Sequence, residues 1–402
     1  MSNTLRHRTD ASEPHSLSAS LVFIMATATG IAVANLYYAQ PLLDTLARSF
    51  AVPTHTAGLI VTMTQVGYAV GLMFVVPLGD LLERRRLVVT VTLCAVVSLV
   101  AAAMAPTIAV FFVACLAVGI TSVVAQVLVP FAAHLAPDHA RGRVVGRVMS
   151  GLLLGILLAR TVSGVMSDAF GWRSMFWLAA ALMLVQAGVL ARALPTDRSG
   201  ERLSYLELLR SVLHLIAEEP LLRRRITYGV FMFATFSALW TALPFLLARP
   251  PFNYGDSVIG AFGLLGVAGA IAASFAGHLH DKGLTHRYTG MFLATVAIAF
   301  VVLGAFDHSL LGLIAGIVLV DLGVQGTQIL NQSTIYQLRP EARSRLTTAY
   351  MTCFFAGGAA GSAAAAFAFS LGGWRAVAAL GVGLPLTAFL YWLTEPRRGP
   401  TR

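Results

Sequence analysis

Twelve long apolar segments run through this chain, and they constrain its fold more than any motif does. They lie at 19–43, 57–80, 86–105, 107–136, 145–167, 173–194, 226–249, 257–279, 288–306, 309–338, 345–371 and 375–394. A helix needs about 20 apolar residues to cross a hydrocarbon core of roughly 30 Å, and each segment can supply that length. Backbone groups inside lipid must be satisfied within their own element, so these segments are predicted to be helices. Strand alternation is absent, which excludes a β-barrel. Charged residues make up only 11% of the 402 residues, too few to wet a soluble protein of this size, where about a quarter is usual. The expected fold is an all-α membrane protein of twelve transmembrane helices.

The formal net charge of +10 is not laid out for nucleic acid. The basic residues, 27 Arg and the single Lys282, fall in short clusters between the apolar segments. With the N-terminus placed inside, 23 of them lie on that side and four (Arg48, Arg173, Arg249 and Arg375) on the other. This bias predicts two cytoplasmic termini in a cell (inner) membrane. The first apolar segment is too long for a cleaved signal and reads as a retained span. Cys94, Cys115 and Cys353 sit inside apolar runs without metal-ligand spacing, so they are expected to be reduced and structural.

One connection is unlike the others. Residues 195–225 are polar around an amphipathic stretch with Leu206, Leu209, Leu213 and Ile216 at helical spacing. This linker separates an N-terminal half, 19–194, from a C-terminal half, 226–394, with tails at 1–18 and 395–402. The halves repeat at an offset of 201 to 203 residues: Gly171-Trp172-Arg173 returns as Gly373-Trp374-Arg375, Gln126 as Gln328, Met149 as Met351 and Asp80 as Asp281. Six helices per half is an even number. The two pseudo-symmetric six-helix bundles therefore share one orientation, and such halves can rock about a midplane site, as secondary transporters do.

Several residues carry a resemblance. The run Val76-Pro77-Leu78-Gly79-Asp80-Leu81-Leu82-Glu83-Arg84-Arg85-Arg86, with a weaker copy at Gly277-His278-Leu279-His280-Asp281-Lys282, resembles the signature of the major facilitator superfamily. Residues 34–43 and 143–164 are most similar to its bacterial sugar-efflux and drug-efflux permeases. The resemblance implies that segments 1, 4, 7 and 10 line a cavity. It would place Gln126 and Gln328 opposite each other.

Polar residues at membrane depth are the candidate site. Asp321 and Arg160 fall near mid-depth, where a charge costs at least about 2.5–3.5 kcal/mol and faces a partner or an aqueous cavity. Each reads as a proton-coupling group or as a buried anchor. Asp321, Gln325, Gln328 and Gln332 share one helix face. Asn35 and Tyr38 share another, and with Trp240 they read as cavity residues or as an interfacial belt with a proline kink. A carboxyl that is paired with Arg160 in one state, and left in apolar surroundings in another, would release and take back a proton. Asp80 and Asp281 end helices, where the dipole disfavours an acid. Asp80 is expected to contact the start of segment 11 (Arg343, Arg345) and Asp281 the start of segment 5 (Arg141, Arg143). With Arg84, these residues would form an inner gate.

Enzyme signatures are missing: the sequence has no phosphate-binding loop, no H-E-x-x-H and no G-x-S-x-G. No metal and no cofactor is expected. The expected function is proton-coupled efflux of a small organic solute, sugar-like or drug-like, in exchange for protons by a monomer. An uptake symporter, a facilitated-diffusion carrier and a non-transporting receptor on the same scaffold stay open. The partners implied are that solute, protons and the bilayer, with no nucleic acid.

Overall fold

In the computed structural model, which describes residues 18–137, 139–197, 204–339 and 342–395, the chain is helical, and no strand occurs among those residues. The basic tails, together with Arg198 and Arg202 of the linker, lie outside the described residues. Ten helical stretches among the described residues are long and apolar enough to cross a membrane.

The first part of the chain holds α1 (Ala19–Ala34), α2 (Leu43–Ser49), α3 (Thr54–Phe74), α4 (Arg84–Met104), α5 (Ile108–Thr121), α6 (Val124–Leu135), α7 (Arg141–Phe170) and α8 (Arg173–Ala193). After α9 (Tyr205–Glu218) come α10 (Pro220–Leu247), α11 (Asp256–Ala261), α12 (Val267–Asp281), α13 (Thr285–Ala305), α14 (Leu310–Ile335) and α15 (Arg343–Leu393). Large side chains on the outside are apolar: Val97, Val113 and Leu371 are 70%, 68% and 88% exposed. That surface suits lipid rather than water.

The helices among the described residues do not follow the twelve expected segments one to one. The first segment stops at Ala34 and winds on through 35–42 in tight turns closed by bonds such as Tyr37 N–H to Ala34 O and Gln40 N–H to Tyr37 O. Pro41 restricts Gln40 before it, which keeps this stretch from resuming a regular helix. Segments 11 and 12 run together as α15, broken only at Gly372 and Gly373, whose backbone is non-helical. Segment 7 starts at Pro220, earlier than expected, because proline is at home in a first helical turn.

The repeated glycines have matching roles. Gly171 and Gly373 both take positive φ, 81° and 61°. Each is followed by a buried tryptophan: Trp172 Nε1 donates to Ser49 Oγ at 3.0 Å, and Trp374 Nε1 to Leu303 O at 2.8 Å. Gly151 and Gly155 let α7 lie directly on α1, where a methyl group would collide with the carbonyls of Ala26 and Gly30.

The α9 helix opens with a capping box between Ser204 and Glu207. Its buried side chains are Leu208, Val212 and Leu215, whereas Leu206 and Leu213 are exposed. The expected apolar stripe is thus displaced by about one residue. Cys94 is exposed, not buried as expected, and all three cysteines are free.

Candidate functional site

The deepest charges meet where elements before and after α9 come together. Arg160, on α7, is 2% exposed, and its Nε donates to Gln40 Oε1 at 2.8 Å. Its guanidinium carbon lies 4.0 Å from the ring centre of Trp240, 4.7 Å from Tyr37 and 5.9 Å from Phe236. An aromatic cage of this kind stabilises a cation electrostatically, by about 2 kcal/mol or more when desolvated.

Asp321, on α14, is 3% exposed and lines the same cavity of about 20 Å³ with Arg160, Phe236, Ala270 and Gln325. The space holds roughly one water. Neither of these described charged side chains forms an ion pair. Arg160 Nη2, Asp321 Oδ2, Trp240 Nε1 and both polar atoms of the Asn35 side chain are buried without a hydrogen-bond partner. Orphaned buried groups each cost about 1–3 kcal/mol, so Arg160 and Asp321 on one cavity, with Trp240 against Arg160, call for a functional reason.

The contribution of the first segment differs from expectation. Helical spacing pairs Asn35 with Tyr38, but Tyr37 and Gln40 are the residues that reach Arg160. Tyr38 is buried, and its carbonyl accepts from Ser163 Oγ at 2.6 Å.

The two glutamines are hydrogen-bonded to tyrosines and not to each other. Gln126 Nε2 donates to Tyr68 Oη at 3.3 Å, and Gln328 Oε1 accepts from Tyr350 Oη at 3.2 Å. Each is held by a tyrosine from a neighbouring helix. Gln328 and Gln332 also lie 3.6 Å from Met351 Sδ, so this end of the α14 face packs on α15. Gln325 remains beside Asp321.

The gate residues divide. Asp80 accepts from Ser344 Oγ at 3.5 Å, at the start of α15 as expected, although through a serine rather than an arginine. Asp281 is exposed and forms no ion pair among the described residues, so its expected contact with α7 is not seen. Arg84 is bound to Asp197 at 3.0 Å and to Gly79 O, inside the first part of the chain. Arg141 donates to Ala133 O and Arg343 to Tyr336 O, while Arg143 is exposed and Arg345 half-buried. Arginines tie off nearby carbonyls more cheaply than they reach across to another bundle.

At the opposite end lies a latch that the sequence did not disclose. Asp256, 5% exposed at the start of α11, accepts from Thr45 Oγ1 at 2.9 Å and Ser167 Oγ at 2.6 Å. In return Asp168 accepts the Asp256 and Ser257 backbone N–H groups at 3.2 and 2.8 Å. This satisfies the open amides of a helix start with a carboxylate. Below it, methyl groups at Gly164 and Gly260 would collide with the carbonyls of Asp256 and Arg160.

Residues 22–362 match the Major Facilitator Superfamily. The chain belongs to that family. It is 49% identical over 378 residues to the putative uncharacterized transporter YgaY of Escherichia coli (strain K12), covering 94% of this chain and 96% of that protein. A probable sugar efflux transporter of Mannheimia succiniciproducens is 24% identical over 339 residues, with 82% of each chain covered. The crystal structure of a D-xylose-proton symporter has the same fold, with a TM-score of 0.73, 14% identity, and 92% and 93% coverage of this chain and that one. This is an integral membrane transporter of the Major Facilitator type. The cavity between Arg160 and Asp321 is its candidate transport site.

Proposed function

We propose that the chain is a proton-coupled secondary transporter that exports a small organic solute by alternating access. Two halves, 19–194 and 226–394, each of six membrane segments, rock about the Arg160–Asp321 cavity. One chain carries the whole path, and the arginine bias supports an inner membrane with both termini cytoplasmic. The observation that carries this reading is the pair of buried opposite charges lining one small cavity without forming an ion pair. A carboxyl there changes its protonation when its counter-ion approaches or withdraws, and that links proton binding to rocking. Export is supported by the relative named as a probable sugar efflux transporter.

The test is transport in proteoliposomes with and without an imposed pH gradient, comparing Asp321→Asn with the parent chain. Asp321→Asn should abolish accumulation driven by the pH gradient while leaving solute exchange at equal pH. Accumulation by Asp321→Asn with unchanged pH dependence would make Asp321 a structural anchor.

A further inference from the structure

The cavity also carries information about what it binds. Arg160 spends Nε on Gln40 and leaves Nη2 buried and unpartnered. The Trp240 indole N–H, on the ring 4.0 Å from the guanidinium, is a second buried donor without an acceptor. Both are donors, and one is cationic. A cationic solute would meet a guanidinium already filling the aromatic cage. A neutral polyol could accept hydrogen bonds but brings no counter-charge of its own to the guanidinium. A carboxylate meets both demands, since its two oxygens match the guanidinium fork.

Resting on the reading of Asp321 as the proton carrier, we infer that the solute is an organic anion whose carboxylate binds Arg160 in place of Asp321, so that anion and proton move together. Around Asp321 the titratable or charged groups are Arg160 from α7 and Tyr37 from the turns after α1. The other elements contribute Phe236, Gly266, Ala270 and Gln325. One guanidinium cannot hold two ionised carboxylates in a dry site, so arrival of the solute carboxylate drives a proton from the open side's water onto Asp321. After release of the anion, Arg160 and Asp321 neutralise each other and the empty carrier can return. Proton and solute travel in the same direction, not in exchange. Export then suits an acid produced inside the cell.

The test is calorimetric titration of the purified full chain with acetate, lactate, benzoate and succinate, each beside its neutral amide, in two buffers of different ionisation enthalpy. At least one carboxylate should bind, with its amide at least about tenfold weaker, and binding should take up a proton. That linkage strengthens affinity as pH falls, by up to about tenfold per unit. Asp321→Asn should keep carboxylate binding and lose the proton uptake. Arg160→Gln should lose carboxylate binding, and Arg160→Lys should restore part of it. The inference is overturned if no carboxylate binds, if amides bind equally well, or if binding releases protons. Absence of pH-driven flux for any solute, with carboxylate binding intact, would instead defeat the proposed function.

Discussion

The two ends of the molecule hold their halves together by different means. At the α11 end, Asp256 bridges to Thr45 and Ser167, and Asp168 reaches back to the start of α11. These bonds link elements that precede α9 with elements that follow it. The linker end has far more charge, yet ion pairs there between described residues include local ones: Arg84 with Asp197, Arg339 with Glu218 and Glu219, and the buried Arg225 with Glu395 at 2.9 Å. Gly142 and Gly146 of α7 and Gly277 of α12 face open space. The structure is therefore latched at the α11 end, while these glycines of α7 and α12 leave open space at the linker end. Charge density is a poor guide to where a gate is strong. Short hydroxyls packed against a carboxylate lose little side-chain entropy, whereas long arginines find carbonyls and acids nearby.

The largest expected effect comes from breaking the latch. Asp256→Ala removes two charge-assisted bonds, each worth about 1.5–3 kcal/mol. It should shift the population toward opening at the α11 end by at least about tenfold. Maleimide labelling of Leu157→Cys, which lines the cavity below the latch, should rise accordingly in a background without the native cysteines. An unchanged labelling rate would mean that the latch is only local packing.

A smaller effect is expected at the other end. Asp80→Asn weakens the long contact to Ser344 and should change the same labelling rate by less than Asp256→Ala does, given the 3.5 Å separation. Asp281→Asn should be nearly silent in the latched state, since Asp281 is exposed there. Equal effects of Asp281→Asn and Asp256→Ala would erase the difference between the two ends.

Much of the fold was readable because lipid imposes one rule, the satisfaction of backbone groups within long apolar helices. The turn at Gly171-Trp172 and its copy at Gly373-Trp374 were legible as a repeat because a positive φ demands glycine. Arg160 and Asp321 stood out because charge at membrane depth is costly. The rest was hidden for physical reasons. Tyr37 and Gln40 reach Arg160 from the turns that follow α1, where a periodicity of 3.6 no longer assigns faces. Asp256 lies just before an apolar segment, as the first residue of α11, where an acid looks like an ordinary helix start. Its partners come from two distant segments, and no spacing announces them.

The most direct test of alternation between the two ends is a pair of spin-label distances measured in the parent chain and in Asp256→Ala. One pair is Phe170→Cys with Val258→Cys, both exposed at the latched end. The other is Gly146→Cys with Gly277→Cys, both facing open space at the linker end. In Asp256→Ala the first distance should lengthen and the second should shorten in the same population. If the first distance lengthens while the second does not shorten, or if both distances are unchanged, the halves do not rock about the Arg160–Asp321 cavity.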